Sequence, residues 1–368
     1  MPDVIMVVDP GSSHTKIFVQ IGNRAPQLIL MEPEVICVGR ETLEAYEREK
    51  LGNPNPEDSA WVEYDGQCWA VGYLARKQFL ADPGLKELKY GRAVYKVLAA
   101  VGVVSEREGL PSHYRLRLGV LLPRGEYKNK EFLENILPAA LANFSFRFQP
   151  ICVELERFEC KPEGGGLALV RRRELGVNFT QRDAIVIVIG YRNASWLALR
   201  RGNIDGDTSE LGFARLIEKV QSQTAGQKAE RLIPAIIEAG PKVSRKPLES
   251  LALSQDKAFR KLETAQIVKA VNIARADYWQ SLISWFQNNV PLNTSEVILT
   301  GGTANYWRSE LETFFSYATV LWYEHLEKPA IALPCNRDPK PVLNYRLTDG
   351  YGFFLFLVNI PCRVAKSA

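Results

Sequence analysis

One short pattern occurs twice in this chain, and it restricts the fold more than any other feature. Val4-Ile5-Met6-Val7-Val8 is apolar and β-branched, stops at Asp9-Pro10-Gly11-Ser12-Ser13, and gives way to a second strand pattern from Lys16 to Ile21. Much later, Ala184-Ile185-Val186-Ile187-Val188-Ile189 runs into Gly190, a strand pattern resumes from Ser195 to Arg201, and helical spacing follows from Ser209 to Gln221. A strand apolar along its whole length belongs in the middle of a sheet covered on both faces. Strand, glycine turn, strand and helix therefore recur, and the chain reads as two pseudo-equivalent α/β halves rather than an array of short repeats. Its 368 residues leave room for two or three lobes at roughly 100–200 residues each.

The stretches between fill in this plan. A loop at Asn53-Pro54-Asn55-Pro56 precedes a hairpin pattern from Ala60 to Gly72 that turns at Asp65-Gly66, and the region over about 35–100 reads as a small inserted lobe. Helical spacing predicts helices over Tyr90 to Val104 and Lys130 to Asn143, separated by a strand from Tyr114 to Leu122 that Pro123 ends. Ile151 to Phe158 predicts a strand leading to Pro162-Glu163 and a flexible Gly164-Gly165-Gly166. In the second half, Gly202 and Asp205-Gly206-Asp207 read as a turn, and Asp256 to Asn289 as two amphipathic helical stretches. Ser295 to Thr300 reads as a strand ending on Gly301-Gly302, and Phe353 to Ile360 as a buried helix, far short of the roughly 20 residues that span a bilayer.

Composition excludes several classes of function. Forty-six Lys+Arg against 42 Asp+Glu leave a formal +4, too small a surplus for a nucleic-acid groove unless the fold gathers it. Arg171-Arg172-Arg173 reads as a solvated charge run, and the seven tryptophans as packing residues. The six cysteines include no CxxC pair, and His14, His113 and His325 lie far apart, so no structural zinc site is expected. Asp3 and Asp9 flank the first apolar run, which reads as a strand rather than a signal peptide, and a reducing, cytoplasmic compartment is expected.

Three glycine turns follow apolar strands: Asp9 to Lys16, Gly190-Tyr191-Arg192-Asn193, and Leu299-Thr300-Gly301-Gly302-Thr303. Glycine lets backbone N–H groups approach phosphate oxygens, the Ser12 and Ser13 hydroxyls add donors, Lys16 adds charge, and Asp9 is placed to hold water around Mg²⁺. Singly, each is also an ordinary turn or strand exit. As a set, in matching places of two halves, they mark the strand ends where ligands gather in α/β folds.

In this order the residues resemble the actin-like ATPases, most closely the bacterial plasmid-partition actins of the ParM and StbA type. Asp9 to Lys16 resembles the first phosphate loop of that family, with Asp9, Gly11, Ser12 and Lys16 on matching positions. Asp65-Gly66 followed by Val71-Gly72-Tyr73-Leu74-Ala75 is similar to a family hairpin, and Leu118 to Pro123 to a family strand. Pro162-Glu163 resembles the Pro-Glu whose carboxylate orients the attacking water. Gly190 to Asn193 resembles the second phosphate loop, and Gly206-Asp207-Thr208-Ser209 the segment after it. Gly301-Gly302-Thr303 matches the adenosine motif, with Tyr306 beside it as a candidate to flank the base, and Thr348-Asp349-Gly350-Tyr351-Gly352-Phe353 matches the closing connection.

The resemblance covers nearly the whole chain. It implies an α/β two-lobed fold of the actin, Hsp70 and sugar-kinase (ribonuclease H-like) type, with a nucleotide cleft between the lobes. Lobe one would span about 1–180 with the terminal helix 349–368 returning to it, and lobe two about 181–348. ATP or GTP with Mg²⁺ is the implied ligand, with Glu163 and Asp9 as the catalytic carboxylates and as metal holders through water. Gly11, Ser12, Ser13, Lys16, Gly190, Tyr191, Arg192, Asn193, Asp207, Gly301, Gly302, Thr303 and Tyr306 would line the nucleotide. The implied partner is a second copy, in a filament, with a DNA-binding adaptor protein possible beside it; neither direct nucleic-acid contact nor a membrane span is expected.

Two departures bear on chemistry. Val188 and Ser195 stand where the family carries acidic residues, one of which shares metal-bound waters with the residue matched by Asp9, so weak hydrolysis is expected. Pro10 removes one N–H from the first loop, and His14 replaces a small polar residue and is expected to face solvent. Three alternatives stay open: a static nucleotide-binding filament with a decayed ATPase, a small-molecule kinase or phosphatase of the same superfamily, and a non-enzymatic DNA-partition or scaffold component.

Overall fold

The computed structural model describes residues 3–337 and 345–361, and the expected terminal helix beyond Pro361 lies outside them. The chain divides into two compact units, one of Met1–Glu174, Lys328–Asp338 and Leu347–Ala368, the other of Leu175–Glu327 and Pro339–Arg346.

The first unit is built on β1 (Val4–Pro10), β2 (Thr15–Ile21), β3 (Gln27–Met31), β4 (Val35–Val38), β5 (Trp61–Tyr64), β6 (Gln67–Val71), β7 (His113–Leu122), β8 (Phe144–Phe146) and β9 (Gln149–Pro162). Among the described residues these form one sheet in the order β3-β2-β1-β7-β9-β8-β5-β6-β4. β1 pairs antiparallel with β2 and parallel with β7, which pairs parallel with β9. The hairpin at Asp65-Gly66 forms as expected, because both residues take positive φ (51° and 70°), the conformation a two-residue turn between twisted strands needs. β4, β5 and β6 do not stand apart as a separate sheet; they join the main sheet through β8.

Helix Lys89–Glu108 buries Val97, Val101 and Val104 against this sheet. Helix Thr348–Val358 packs on β1, β2 and β7, and Arg117 of β7, only 2% exposed, donates to the Leu357 and Ile360 carbonyls (3.1 and 2.7 Å) at its C-terminal end. Helix Gly165–Leu175 crosses close by. A Cβ at Gly166 would lie 2.0 Å from the Asp349 carbonyl oxygen, so Gly166 serves close helix packing, while Gly164 (φ 87°) serves the turn that follows Glu163. The free side of β3 is covered by a returning segment. The Leu28 amide donates to Pro334 O (2.9 Å), Asn336 bonds both the N–H and the C=O of Leu30 (2.8 and 3.0 Å), and Arg337 reaches Glu32 and Asp58 (2.6 and 2.8 Å).

The second unit is built on β10 (Asp183–Ile189), β11 (Ala194–Arg200), β12 (Asn203–Ser209), β13 (Glu296–Thr300) and β14 (Thr319–Leu321), in the order β12-β11-β10-β13-β14. The apolar run Ala184 to Ile189 is central, as expected. Two expectations fail here. Asp205-Gly206-Asp207 is strand, not turn: Arg201 and Gly202 (φ 45° and 82°) already reverse the chain, which leaves Asp207 opposite Trp196 in β12. Ser209 is consequently the last residue of that strand, and the helix starts later, at Phe213.

Lys257–Asn289 is one helix of 33 residues rather than two, since no glycine or proline interrupts it. Asp256 caps it by accepting from the Ala258 and Phe259 amides (2.8 and 3.0 Å), and Ile267, Val271, Ala274, Tyr278, Leu282 and Phe286 form its buried stripe.

Candidate functional site

In the first unit the ladder pairs Asp9 of β1 with Lys16 of β2, and their side chains form a nearly buried ion pair. Between them the chain folds tightly. The Gly11 amide donates to Asp9 O (2.8 Å), and a Cβ at Gly11 would meet His14 O at 2.7 Å. Ser12 is buried, while Ser13 and His14 are half-buried, so His14 does not simply face solvent.

Glu163 follows the end of β9. Its amide donates to Leu122 O (2.7 Å), and its carboxylate accepts from Lys89 Nζ at 2.7 Å, with both side chains at or below 13% exposure. Asp349 accepts from the Gly164 and Leu167 amides (2.7 and 3.1 Å) and so fixes the backbone on which Glu163 stands. Burial pushes the Asp349 carboxyl up to about 7, and the negative charges of Asp9 and Glu163 add to the shift. Asp9, Glu163 and Asp349 thus belong to one electrostatic cluster, with Lys16 on Asp9 and Lys89 on Glu163. Buried Lys96, on the same face of its helix as Lys89, is pulled down to about 7 by desolvation and by the charges of Lys89 and Arg92. Sequence reading singled out neither Lys89 nor Lys96, and it noted Asp349 only as part of the closing motif.

In the second unit two of the three glycine turns meet at neighbouring strand ends. The Gly190 amide donates to Asn193 O (2.9 Å), and the loop is strapped to the following helix by Ala214 N to Tyr191 O (2.8 Å) and Phe213 N to Gly190 O (3.1 Å). Thr303 Oγ1 donates to Gly190 O at 2.8 Å, joining the two motifs. Gly301 has φ 105°, and a Cβ there would lie 2.2 Å from Ile189 O, so only glycine fits. Its amide and the Thr300 hydroxyl both donate to Tyr345 O (2.8 Å each), and Glu327 in turn accepts from the Tyr345 amide at 2.6 Å.

The remaining expected residues lie as follows. Gly302 is half-buried and its Cβ position faces Arg346. Tyr191 and Arg192 are half-buried. Asp207 is exposed on the edge strand β12, away from the loop that the turn reading placed it in. Tyr306 is turned into the core, edge-on to Phe213 (5.3 Å) and under the Arg275 guanidinium (4.8 Å). Val188 pairs with Ser195, Ser195 with Thr208, and Val188 with Thr300, giving a neutral row across the sheet.

These residues fit a nucleotide. The glycine turns leave amides and no Cβ at strand ends, and the Asn193 Oδ1 atom is buried without a hydrogen-bond partner among the described residues. For a divalent ion the donor set is thin. No group of three or more His, Cys, Asp or Glu side chains suited to a metal occurs among the described residues, so phosphate oxygens and water would supply most of the shell, as Mg²⁺ prefers.

No protein-family model matches the sequence, and no curated protein does. Solved structures do match, over nearly the whole chain. A 15-stranded ParM filament from Clostridium botulinum superposes with a TM-score of 0.61 at 12% identity, covering 98% of this chain and 100% of that one. An archaeal actin homolog gives 0.55 at 15% identity, with 96% and 99% covered, and an Alp12 filament structure gives 0.54 at 15%, with 97% and 99% covered. The fold is therefore the actin-like fold, and the structural neighbours are the ones the order of motifs implied.

Proposed function

We propose that this chain, with the fold of the actin homologues, binds ATP or GTP with Mg²⁺ and assembles into filaments in the manner of a ParM-like bacterial actin. The observation that carries the nucleotide part is the joining of Gly190–Asn193 and Gly301–Thr303 at adjacent strand ends, through Thr303 Oγ1 on Gly190 O. The Gly11–Ser13 and Gly190–Asn193 loops would each offer amides to phosphate, Lys16 would neutralise its charge, and Glu163 would hold the water for attack. Mg²⁺, when bound, would screen the phosphate charge, with Asp9 holding water of its shell. Assembly is proposed because two of the matched structures are filaments. Plasmid partition through a DNA-binding adaptor, and a cytoplasmic location, belong to the same reading. No helix among the described residues is long and apolar enough to cross a membrane.

The test is sedimentation of the purified protein at micromolar concentration with Mg²⁺ and ATP, ADP, a non-hydrolysable analogue or no nucleotide. Pelleting that needs triphosphate, and that decays with ATP but not with the analogue, is the expected result. No pellet under any condition would overturn filament formation and turn attention to the kinases of the superfamily. A second reading, a static filament with little hydrolysis, is favoured by the neutral Thr208–Ser195–Val188–Thr300 row. Its expected signature is pelleting that ignores the nucleotide.

A further inference from the structure

One buried cation of the first unit has no partner in the fold. Helix Lys89–Glu108 carries Lys89, Arg92 and Lys96 at spacings of three and four, so the three side chains rise on one face. Two of them are engaged. Lys89 donates to Glu163 (2.7 Å), and the Arg92 guanidinium grips the Glu87 carboxylate through two nitrogens (2.5 Å each). Lys96 is only 4% exposed, yet its ammonium enters no hydrogen bond and no ion pair among the described residues.

The helix packs on β1, β4 and β6, and the negative charges that reach Lys96 come from those directions: Glu34, just before β4, and Asp9, near the end of β1. Lys89 and Arg92 oppose them. Asp9 is already paired with Lys16. Glu34 is 6% exposed, its Oε2 atom is buried without a hydrogen-bond partner, and no ion pair joins it to Lys96. Burial without a partner costs a lysine far more than it costs an apolar side chain of similar length. Ala93, Ala99 and Ala100, one turn away on either side, are fully buried, so packing at this position asks only for an apolar residue. The fold therefore holds a charge that it does not itself use, and such a charge calls for an anion that arrives from outside.

We infer that Lys96 binds the terminal phosphate of the nucleotide, and that this contact separates triphosphate from diphosphate. The inference rests on the nucleotide reading above, in which Glu163 holds the attacking water and the terminal phosphate therefore lies beside Asp9 and Glu163. Lys16 and Lys89 reach that place already paired with these two carboxylates, so Lys96 brings the uncommitted charge. Its ammonium is a compact donor of three hydrogens, suited to phosphate oxygens. A diphosphate ends short of it, and Glu34 then remains its main counter-charge.

Binding of Mg²⁺-ADP and of the Mg²⁺-bound non-hydrolysable triphosphate analogue would be measured by titration calorimetry on wild type, Lys96→Met and Glu34→Gln, with melting curves of the three proteins without nucleotide. Lys96→Met should melt at or above the wild-type temperature, because it removes a buried charge that has no partner. It should keep diphosphate affinity within about twofold and lose triphosphate affinity about 10–100-fold, the range of a hydrogen bond between charged groups. Glu34→Gln removes the counter-charge of Lys96 and should tighten triphosphate binding. Equal losses for both nucleotides in Lys96→Met, or no loss for either, would overturn the inference and leave nucleotide binding standing. If Lys96→Met does not fold, Glu34→Gln decides: tighter triphosphate binding supports the contact, and unchanged or weaker binding overturns it. Wild type that binds neither nucleotide would overturn the nucleotide reading and this inference together.

Discussion

Val188 and Ser195 stand directly opposite each other across β10 and β11, so the two positions where the family resemblance expects carboxylates fall together as one neutral spot between Thr208 and Thr300. Restoring one charge there tests how much chemistry its absence removes. Val188→Asp should raise phosphate release on the order of tenfold by adding an acceptor for metal-bound water, while costing about 1–3 kcal/mol because the position is half-buried. Phosphate release and thermal melting check the two effects separately. Unchanged release would count against a decayed active site.

The Lys89–Glu163 pair makes a second prediction. Glu163→Gln should lower phosphate release about 10²-fold with nucleotide binding retained, as for loss of a positioned proton acceptor. Lys89→Met leaves a nearly buried carboxylate without its cation and should destabilise the fold by about 2 kcal/mol. In a double-mutant cycle, Lys89→Met should cost less in the Glu163→Gln background, and purely additive effects would show that the pair contributes nothing.

Stability should depend on pH through two buried groups of the first unit. The Asp349 carboxyl, ordinarily near 3.8, is pushed up to about 7, and the Lys96 ammonium, ordinarily near 10.5, is pulled down to about 7. In the unfolded chain both titrate normally. Asp349 therefore destabilises progressively as pH rises from about 3.8 to about 7, whereas the cost of Lys96 is full below about 7 and fades towards about 10.5. Their combined contribution is least favourable near pH 7. Denaturant unfolding should show a flatter slope on the acid side in Asp349→Asn and on the alkaline side in Lys96→Met. Slopes identical to wild type in both variants would refute this account.

Gly166→Ala should cost about 3 kcal/mol or prevent folding, because the new methyl would sit 2.0 Å from the Asp349 carbonyl oxygen and force two helices apart. Gly176→Ala, where nothing lies within 4 Å but φ is +55°, should cost only the backbone strain, about 1 kcal/mol. Melting temperatures of the two variants separate close packing from conformational freedom.

The central strands and the Asp65-Gly66 hairpin were legible because their signals are local: a long apolar run, and a dipeptide that tolerates positive φ. The glycine turns were legible for the same reason. What was not legible depends on a neighbour or on an earlier reversal. Asp205-Gly206-Asp207 has turn composition, yet Arg201-Gly202 reverses the chain first and pairing with β11 holds the segment extended. Lys89 carries no motif; it matters only because its helix delivers it to Glu163, 74 positions away. Tyr306 illustrates the opposite error, a residue adjacent to a motif in sequence whose ring is committed to the core.

The covering of β3 by Pro334, Asn336 and Arg337 also has a consequence for biosynthesis. These residues emerge from the ribosome only after the whole of Leu175–Glu327 has been made, and the helix at Thr348–Val358 later still. Until then the nascent first unit carries an open strand edge and an unfilled seat over β1 and β2, and the Gly164 amide lacks Asp349. A chain folded only as far as residue 327 would thus keep Thr303 on Gly190 but lack Tyr345 for Gly301 and Asp349 for the Glu163 turn, so that turn is completed only once residue 349 has emerged.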